Sequence, residues 1–214
     1  MKRTVLCYGD SNTHGTPPMA TADDRGRFAR SERWPGVMAD LLTPHWTVIE
    51  EGHPSRTTVH DDPIEGPHRN GLTILPAILE SHRPIDLVIL KLGTNDLKAR
   101  FSVTAADIAM SLATLIDVIR RSDCGPDGAA PKVLLVAPPP ILEVGCLAEI
   151  FAGGAAKSQM LAPRIAAEAR RAGVAFVDAA DHIAVSDLDG IHYNAGAHLV
   201  LGRALAQTMA DVFA

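Results

Sequence analysis

The chain has 214 residues, of which 47% are hydrophobic and 21% are charged, and its mean hydropathy is +0.10. This composition is sufficient to bury one substantial core, and it excludes a disordered tail. With 20 basic and 25 acidic residues, a formal net charge of −5 and no long run of like charge, the chain lacks the basic surface of a nucleic-acid-binding protein.

Short apolar runs alternate with longer segments of helical periodicity, which is the pattern of repeated β-α-β units. In chain order, the sequence predicts strands over residues 3–8, 46–51, 85–92, 132–137 and 174–177. Between and after them it predicts helices over residues 34–42, 71–82, 105–121, 155–172 and 195–213. The third and fourth strands are almost continuously apolar, as in central strands covered on both faces. We therefore predict an α/β fold, and because no linker or repeat divides the chain, a single domain over residues 1–214.

Cysteine usage and the N-terminal segment indicate the compartment. The cysteines are odd in number, have no CxxC spacing and cannot all pair: Cys7, Cys124 and Cys146. The first apolar run ends at Gly9 and is far shorter than the core of a secretory signal. No apolar stretch approaches the roughly 18 residues that cross a bilayer. We therefore expect a cytoplasmic protein without a membrane partner.

Polar clusters follow four places where a predicted strand ends. These clusters are Gly9-Asp10-Ser11, Gly52, Gly93-Thr94-Asn95-Asp96, and the pair Asp189 and His192. Each alone has an ordinary structural explanation as a helix cap, a tight turn or an exposed ion pair. In an open parallel sheet, however, ligands bind beyond the carboxyl ends of the strands. The clusters are therefore expected at one rim, and their joint occurrence favours catalysis.

The residue types at this rim are those of nucleophilic catalysis by serine. A serine hydroxyl attacks a carbonyl at neutral pH only if a base accepts its proton and a third group orients that base. Ser11 can supply the hydroxyl and His192 the base. Asp189, one turn before His192, can accept the Nδ1–H and direct Nε2 toward Ser11. We predict these three residues as the catalytic triad.

Other residues of the clusters can support this reaction. The candidate oxyanion donors are the backbone N–H groups of Ser11 and Gly52 and the side-chain amide of Asn95. Asp10 is interpreted as a structural acid that accepts N–H bonds in the serine turn, and Asp96 as a capping or network acid.

A histidine-rich loop after the second strand raises the question of a metal site. It contains His53, His60 and His68 near Asp61 and Asp62, but spacings of seven and eight fit no regular zinc pattern. HExxH, Walker A and GxGxxG motifs are also absent from the sequence. We expect no metal and no other cofactor.

Two further features have more than one interpretation. Arg56 is expected to staple its loop through a carboxylate or backbone carbonyls, with contact to an anionic substrate as the alternative. The apolar residues of the segment 141–151 can be core, acyl pocket or subunit contact: Ile141, Leu142, Leu147, Ile150 and Phe151.

The four clusters together resemble the SGNH hydrolase superfamily, also called GDSL-type esterases, whose four blocks provide Ser, Gly, Asn and His. The matching positions are Ser11, Gly52, Asn95 and His192, and the resemblance spans nearly the whole chain. It implies a three-layer α/β/α, flavodoxin-like fold with a five-stranded parallel sheet in the order 2-1-3-4-5. It also implies a carboxylic ester hydrolase that forms an acyl-enzyme on serine.

Other stretches resemble the bacterial arylesterase and acyltransferase branch. They are Arg33-Trp34-Pro35-Gly36-Val37, Glu50-Glu51-Gly52, Ser55-Arg56-Thr57-Thr58, Asp61-Asp62-Pro63 and Asn70-Gly71. The resemblance implies hydrolysis of short-chain, acetyl-type esters, a small-molecule substrate and a homo-oligomer. Some members transfer the acyl group to alcohols or peroxide. The segment 14–18 lacks the tryptophans associated with those members, which favours hydrolysis.

Two alternatives remain open at the level of sequence. The same fold can serve a carbohydrate acetylesterase, or a lysophospholipase or thioesterase. The turns can also persist in a binding module that has lost catalysis.

Overall fold

The computed structural model describes residues 2–213 as a parallel sheet with helices on both faces. The strands are β1 (Arg3–Gly9), β2 (Trp46–Gly52), β3 (Leu87–Lys91), β4 (Lys132–Ala137) and β5 (Ala175–Asp178). Their order is β2-β1-β3-β4-β5, and all neighbours pair in parallel. The three-layer α/β/α fold and the strand order implied by the resemblance are confirmed.

The helices in this part of the chain are α1 (Ser11–His14), α2 (Trp34–Leu42), α3 (Gly71–His82), α4 (Ala105–Arg121), α5 (Gly154–Ser158), α6 (Leu161–Ala172) and α7 (Ala195–Val212). The bounds of α2, α3 and α4 agree with the prediction. The start of α4 is fixed by a capping box in which Thr104 and Asp107 accept each other's backbone N–H. None of the described helices combines the length and apolar character needed to cross a membrane.

The helix predicted over residues 155–172 is in fact two helices, α5 and α6. Pro163 explains the break, because its ring would collide with the Gln159 carbonyl in a continuous helix. The chain turns at Gln159 and Met160 instead, with the Met160 N–H bonded to the Lys157 carbonyl. Pro163 then lies in the first turn of α6, where its missing N–H leaves no hydrogen bond unmade.

The sheet separates two apolar cores. Leu6 and Leu90 face a core that α3, α4 and α6 cover. Because side chains alternate along a strand, Val5 and Ile89 face the opposite core, which α2 and α7 cover. Burial of each such side chain contributes about 1.5–3 kcal/mol to stability. The carboxyl ends of β1 and β3 are therefore held rigidly between two packed layers.

A buried histidine in the α7 layer links stability to pH. His198 is fully buried, and its Nδ1 accepts the Trp34 N–H at 3.3 Å. Burial, together with the nearby charge of Lys91, lowers the pKa of His198 to about 3 from an ordinary value of 6.5. Between these two values the unfolded chain binds a proton that the folded protein excludes. The free energy of unfolding therefore decreases as pH falls through this window.

We expect His198 alone to lower the free energy of unfolding by about 2 kcal/mol between pH 7 and pH 5. Urea unfolding at the two pH values measures this change. His198→Asn keeps an acceptor for the Trp34 N–H but cannot take up the proton, so its stability should depend less on pH. An unchanged pH dependence in this variant would contradict the assignment.

Candidate active site

The nucleophile predicted from the sequence lies in a tight turn at the end of β1. The Asp10 side chain caps α1 by accepting the Asn12 N–H at 3.0 Å, so Asp10 has the structural position expected for it. Gly9 allows α1 to fold back closely, because a Cβ there would lie 2.0 Å from the Thr13 hydroxyl oxygen. Gly15 ends α1 with a left-handed φ of 87°. Ser11 is thereby fixed at the carboxyl edge of the sheet.

The three residues predicted as a triad form a continuous hydrogen-bonded chain. Ser11 Oγ lies 3.1 Å from His192 Nε2, and His192 Nδ1 lies 2.6 Å from Asp189 Oδ2. All three side chains are buried or nearly so. The structure thus brings together two residues that are separated by 181 positions in the chain.

The Asp189 carboxylate is held by several N–H groups. Oδ1 accepts from the backbone of Ile191 and His192 at 3.0 Å, and Oδ2 accepts from Met19 at 2.7 Å. Burial opposes ionisation, but the His192 ring and these backbone bonds lower the pKa of Asp189 to about 2. Because an ionised carboxylate only accepts, Nδ1 of His192 carries the proton. Nε2 is then free to accept the Ser11 hydroxyl proton.

Asn12, to which sequence reasoning assigned no role, joins the nucleophile turn to the loop over residues 186–193, which carries Asp189 and His192 and is here called the histidine loop. Its side-chain Nδ2 donates to the Ile191 carbonyl at 3.1 Å, and its Oδ1 accepts from the Tyr193 N–H at 3.2 Å. These bonds flank His192 on both sides. The spacing between Ser11 and His192 is therefore fixed by backbone contacts as well as by their own hydrogen bond.

The cluster after β3 positions the loop over residues 55–58. Asn95 Nδ2 donates to the Arg56 carbonyl at 3.2 Å, which uses one of its two amide hydrogens. Asp96 is buried and accepts from the Thr58 N–H at 3.1 Å and from the Thr58 hydroxyl. Burial raises the pKa of Asp96, and the bonds from Thr58 oppose that rise. Asp96 is a buried network acid in this structure.

Arg56 staples this loop to the sheet. It is 2% exposed, and its Nη1 donates to the carbonyl of Gly9 at 2.9 Å and to the carbonyl of Glu51. The guanidinium lies 4.2 Å from the centre of the Tyr8 ring. Nη1 therefore faces backbone carbonyls, in agreement with the loop-stapling interpretation.

The prediction of Gly52 as an oxyanion donor is not met by the geometry. His53 donates to the Gly9 carbonyl at 3.0 Å, and successive N–H groups of a strand point in opposite directions. The Gly52 N–H therefore points away from β1, toward the open edge of the sheet, because β2 is an edge strand. Gly52 has a packing role instead, since a Cβ there would lie 2.1 Å from the His14 nitrogen.

A cavity of about 520 Å³ opens above the triad. Ser11, Asn95 and His192 line it, and so does Ser55, which sequence reasoning missed. Ser55 has a φ of 61°, a left-handed value rarely adopted by non-glycine residues and often found at functional sites. The lining combines apolar and charged side chains. The apolar side chains include Met19, Leu147, Ile150, Phe151 and Ile191, and the charged side chains are Asp24, Arg25, Glu65, Arg69 and Lys98.

The histidines considered as metal ligands have other neighbours. The rings of His53 and His68 meet edge to face at 5.7 Å, and His60 stacks on Phe101 at 5.5 Å. Burial and two nearby arginines lower the pKa of His53 to about 4, so this ring is neutral at physiological pH. Within residues 2–213, no three His, Cys, Asp or Glu side chains are arranged to hold a metal ion.

Comparison with known proteins identifies the family. Residues 7–200 match the GDSL-like lipase/acylhydrolase family, and the chain belongs to it. The resemblance inferred from the four clusters is therefore confirmed, and the chain is a carboxylic ester hydrolase. No curated protein matches the chain significantly.

Several solved structures are similar over their full length. An aryl esterase from M. smegmatis in its inhibitor-bound form is 40% identical, with a TM-score of 0.93 and coverage of 98% of this chain and 99% of that chain. A carbohydrate acetylesterase from Sinorhizobium meliloti is 40% identical, with a TM-score of 0.94 and coverage of 99% and 100%. A putative arylesterase from Agrobacterium tumefaciens is 37% identical, with a TM-score of 0.87 and coverage of 98% and 99%.

Proposed function

We propose that the chain hydrolyses short-chain, acetyl-type esters with Ser11 as nucleophile, His192 as general base and Asp189 as the acid that orients His192. The observation that carries the proposal is the hydrogen-bonded chain from Ser11 Oγ through His192 to Asp189, in which Ser11 and His192 line the cavity.

The reaction proceeds in two steps that use the same proton carrier. His192 Nε2 accepts the Ser11 proton while Oγ bonds to the ester carbonyl, and the imidazolium then protonates the departing alcohol. In the second step water loses a proton to Nε2 and attacks the acyl-enzyme, and the imidazolium returns that proton to Ser11 Oγ as the acid departs. An alcohol or peroxide that outcompetes water would accept the acyl group in the same way.

Three donors are proposed for the oxyanion. Ser11 and Asn95 retain their predicted roles, through the Ser11 backbone N–H and the second Asn95 amide hydrogen. The Ser55 N–H takes the place assigned to Gly52, because Ser55 lines the cavity and its left-handed conformation reverses the chain just after β2. Such prearranged donors stabilise the charge that develops in the transition state.

The apolar and the charged side chains of the cavity lining support different halves of the substrate. Leu147, Ile150 and Phe151 supply an apolar surface for a small acyl group. The charged side chains, among which Lys98 is paired with Glu65, suit a hydroxylated alcohol group. They favour carbohydrate acetates as a second candidate substrate class, beside simple aryl esters.

We also propose a domain organisation, an oligomeric state and a compartment for the protein. Both cores pack against the same sheet, which supports a single catalytic domain. Exposed Leu142, Val144 and Leu188 near the histidine loop support a homo-oligomer. The three free cysteines support a reducing compartment such as the cytoplasm.

Covalent labelling tests the nucleophile. A fluorescent organophosphonate should add one adduct mass to the wild-type protein, and peptide mapping should place it on Ser11. Ser11→Ala should gain no mass. Ser186→Ala is the matched control, because it removes another serine hydroxyl from the site region, and it should label like the wild type. Labelling of Ser11→Ala, or an unlabelled wild-type protein, would refute the proposal and favour a binding module.

A further inference from the structure

The last residue of β3 is a lysine that the proposed reaction does not use. Lys91 pairs in register with Gly9, and its side chain is fully buried. By the alternation of the strand it faces the same side as Leu87 and Ile89, toward α2 and α7. Its Nζ has no hydrogen-bond partner among residues 2–213. Buried lysines are normally paired, so an unpaired ammonium group at this position requires a structural explanation.

Two other buried residues near this end of the sheet carry unpaired polar atoms. Nζ lies 4.8 Å from the centre of the Tyr193 ring, whose hydroxyl also lacks a partner in the described chain. Asp10 Oδ2, on the residue before the nucleophile, is buried and likewise unpaired there. Lys91 is paired in register with Gly9, the residue directly before Asp10. Burial lowers the pKa of Lys91, and the charge of the Asp10 carboxylate opposes that change.

We infer that Lys91 is a positioning residue whose ammonium group holds the Asp10 carboxylate through enclosed water, and thereby fixes the turn that presents Ser11. The inference rests on the proposed role of Ser11 as nucleophile. Enclosed water is retained where about two to four otherwise unpaired polar groups surround it. The groups are complementary, because the ammonium donates, the carboxylate accepts and the Tyr193 hydroxyl does both.

Asp10 connects Lys91 to the nucleophile turn because its two carboxylate oxygens have different roles. Oδ1 accepts the Asn12 N–H and starts α1, while Oδ2 is the oxygen left for Lys91. α1 has only four residues, so its orientation depends on its cap. A buried carboxylate that loses its cation either takes up a proton or moves toward water. Either change would displace Ser11 from His192.

The other charged and titratable groups around Asp10 are neutral or partly engaged. Arg56, whose charge also acts on Asp10, donates through Nη1 to the carbonyls of Gly9 and Glu51, and its Nε has no partner in the described chain. His198, on α7, is neutral because its pKa is about 3. His192 is engaged with Ser11 and Asp189. In the described chain, Lys91 is therefore the cation near Asp10 with all of its donors unused.

The first test is Lys91→Met, which fills the same space without charge. We expect kcat to fall by about 10–100-fold with KM changed less than about 2-fold, as for a misplaced nucleophile. The rate of organophosphonate labelling should fall by the same factor. Leu90→Met, on the same strand but facing the other core, is the matched control and should label and turn over at wild-type rates.

The second test is a double-mutant cycle with Asp10. Asp10→Asn keeps an oxygen for the Asn12 N–H but removes the carboxylate. The double variant Lys91→Met/Asp10→Asn should therefore be at least about 5-fold faster than Lys91→Met alone. Additive losses, or wild-type kcat and labelling in Lys91→Met, would overturn the inference.

A further pair of variants keeps the test decisive if Lys91→Met does not fold. Lys91→Arg preserves the charge and should be more active than Lys91→Gln at matched thermal stability, and equal activity would overturn the inference. Failure of the proposed function gives a different result, since the wild-type protein would then carry no label on Ser11. Normal labelling of Ser11 in both the wild type and Lys91→Met refutes the role of Lys91 alone.

Discussion

Asp189→Asn is expected to lower kcat by about 10⁴-fold while KM changes little. The ionised Asp189 carboxylate only accepts, so it keeps the His192 proton on Nδ1 and leaves Nε2 to accept from Ser11 Oγ at 3.1 Å. An asparagine amide can donate to Nδ1 instead, which moves the proton to Nε2. That tautomer cannot accept the Ser11 proton. Steady-state hydrolysis of p-nitrophenyl acetate at neutral pH measures the loss.

Asp189→Asn should fold, because the amide oxygen can still accept backbone N–H bonds of the kind that Asp189 Oδ1 receives from Ile191 and His192. Asp187→Asn is the matched control, since it makes the same change at an exposed position of the same loop. A loss smaller than about 10-fold would show that a Ser-His dyad is sufficient for this enzyme. Loss of the folded state would make Asp189 a structural residue.

Asn95→Ala is expected to lower kcat by about 10²–10³-fold through loss of one oxyanion donor. One amide hydrogen of Asn95 is bonded to the Arg56 carbonyl at 3.2 Å, and the other is free to face the reacting carbonyl oxygen in the cavity. Because the charge develops mainly in the transition state, KM should change much less than kcat. Parallel measurement of kcat and KM with one ester checks both expectations.

Asn95→Asp separates the donor from the shape of the side chain. It has nearly the same volume, but it replaces the amide donor with a carboxylate next to the developing oxyanion. Its kcat should be at least as low as that of Asn95→Ala. An unchanged kcat in Asn95→Ala would remove Asn95 from the oxyanion site. Melting temperatures of both variants show whether the bond to the Arg56 carbonyl mainly stabilises the loop.

The triad could be predicted because its parts follow from local motifs and one rule of topology. Ser11 and His192 each stand where the chain leaves a predicted strand, and parallel strands bring such exits to a common edge. The distance of 3.1 Å between them depends on the contacts of Asn12 with both neighbours of His192, which no spacing in the sequence reveals.

The errors also have identifiable physical causes. Gly52 was assigned as a donor from its motif, whereas the direction of a strand N–H depends on the register with its neighbour, and that register places it toward the sheet edge. Ser55 entered the sequence analysis only as part of a stretch that resembles the arylesterase branch. No donor role could be assigned to it, because its left-handed conformation is unusual for serine and is not evident from the sequence. The break between α5 and α6 could have been predicted from the sequence, because Pro163 lies within the predicted helix.

Lys91 shows a limit of another kind. The apolar run that it ends correctly predicted the central strand β3. A lysine at the end of such a run usually reaches water through its long side chain. Its complete burial depends on the layer formed by α2 and α7, which is built from residues far away in the chain.

The hydrogen bond from the Met19 backbone to Asp189 has a consequence for how new specificities can arise. The exposed segment just beyond it, residues 20–26, contributes Ala22 and Arg25 to the rim of the cavity. Substitutions in that segment can reshape the rim without touching the proton relay. Insertions or deletions that move the backbone at position 19 would disturb the relay together with the rim. Laboratory evolution should therefore accumulate side-chain changes in this segment and reject changes in its length.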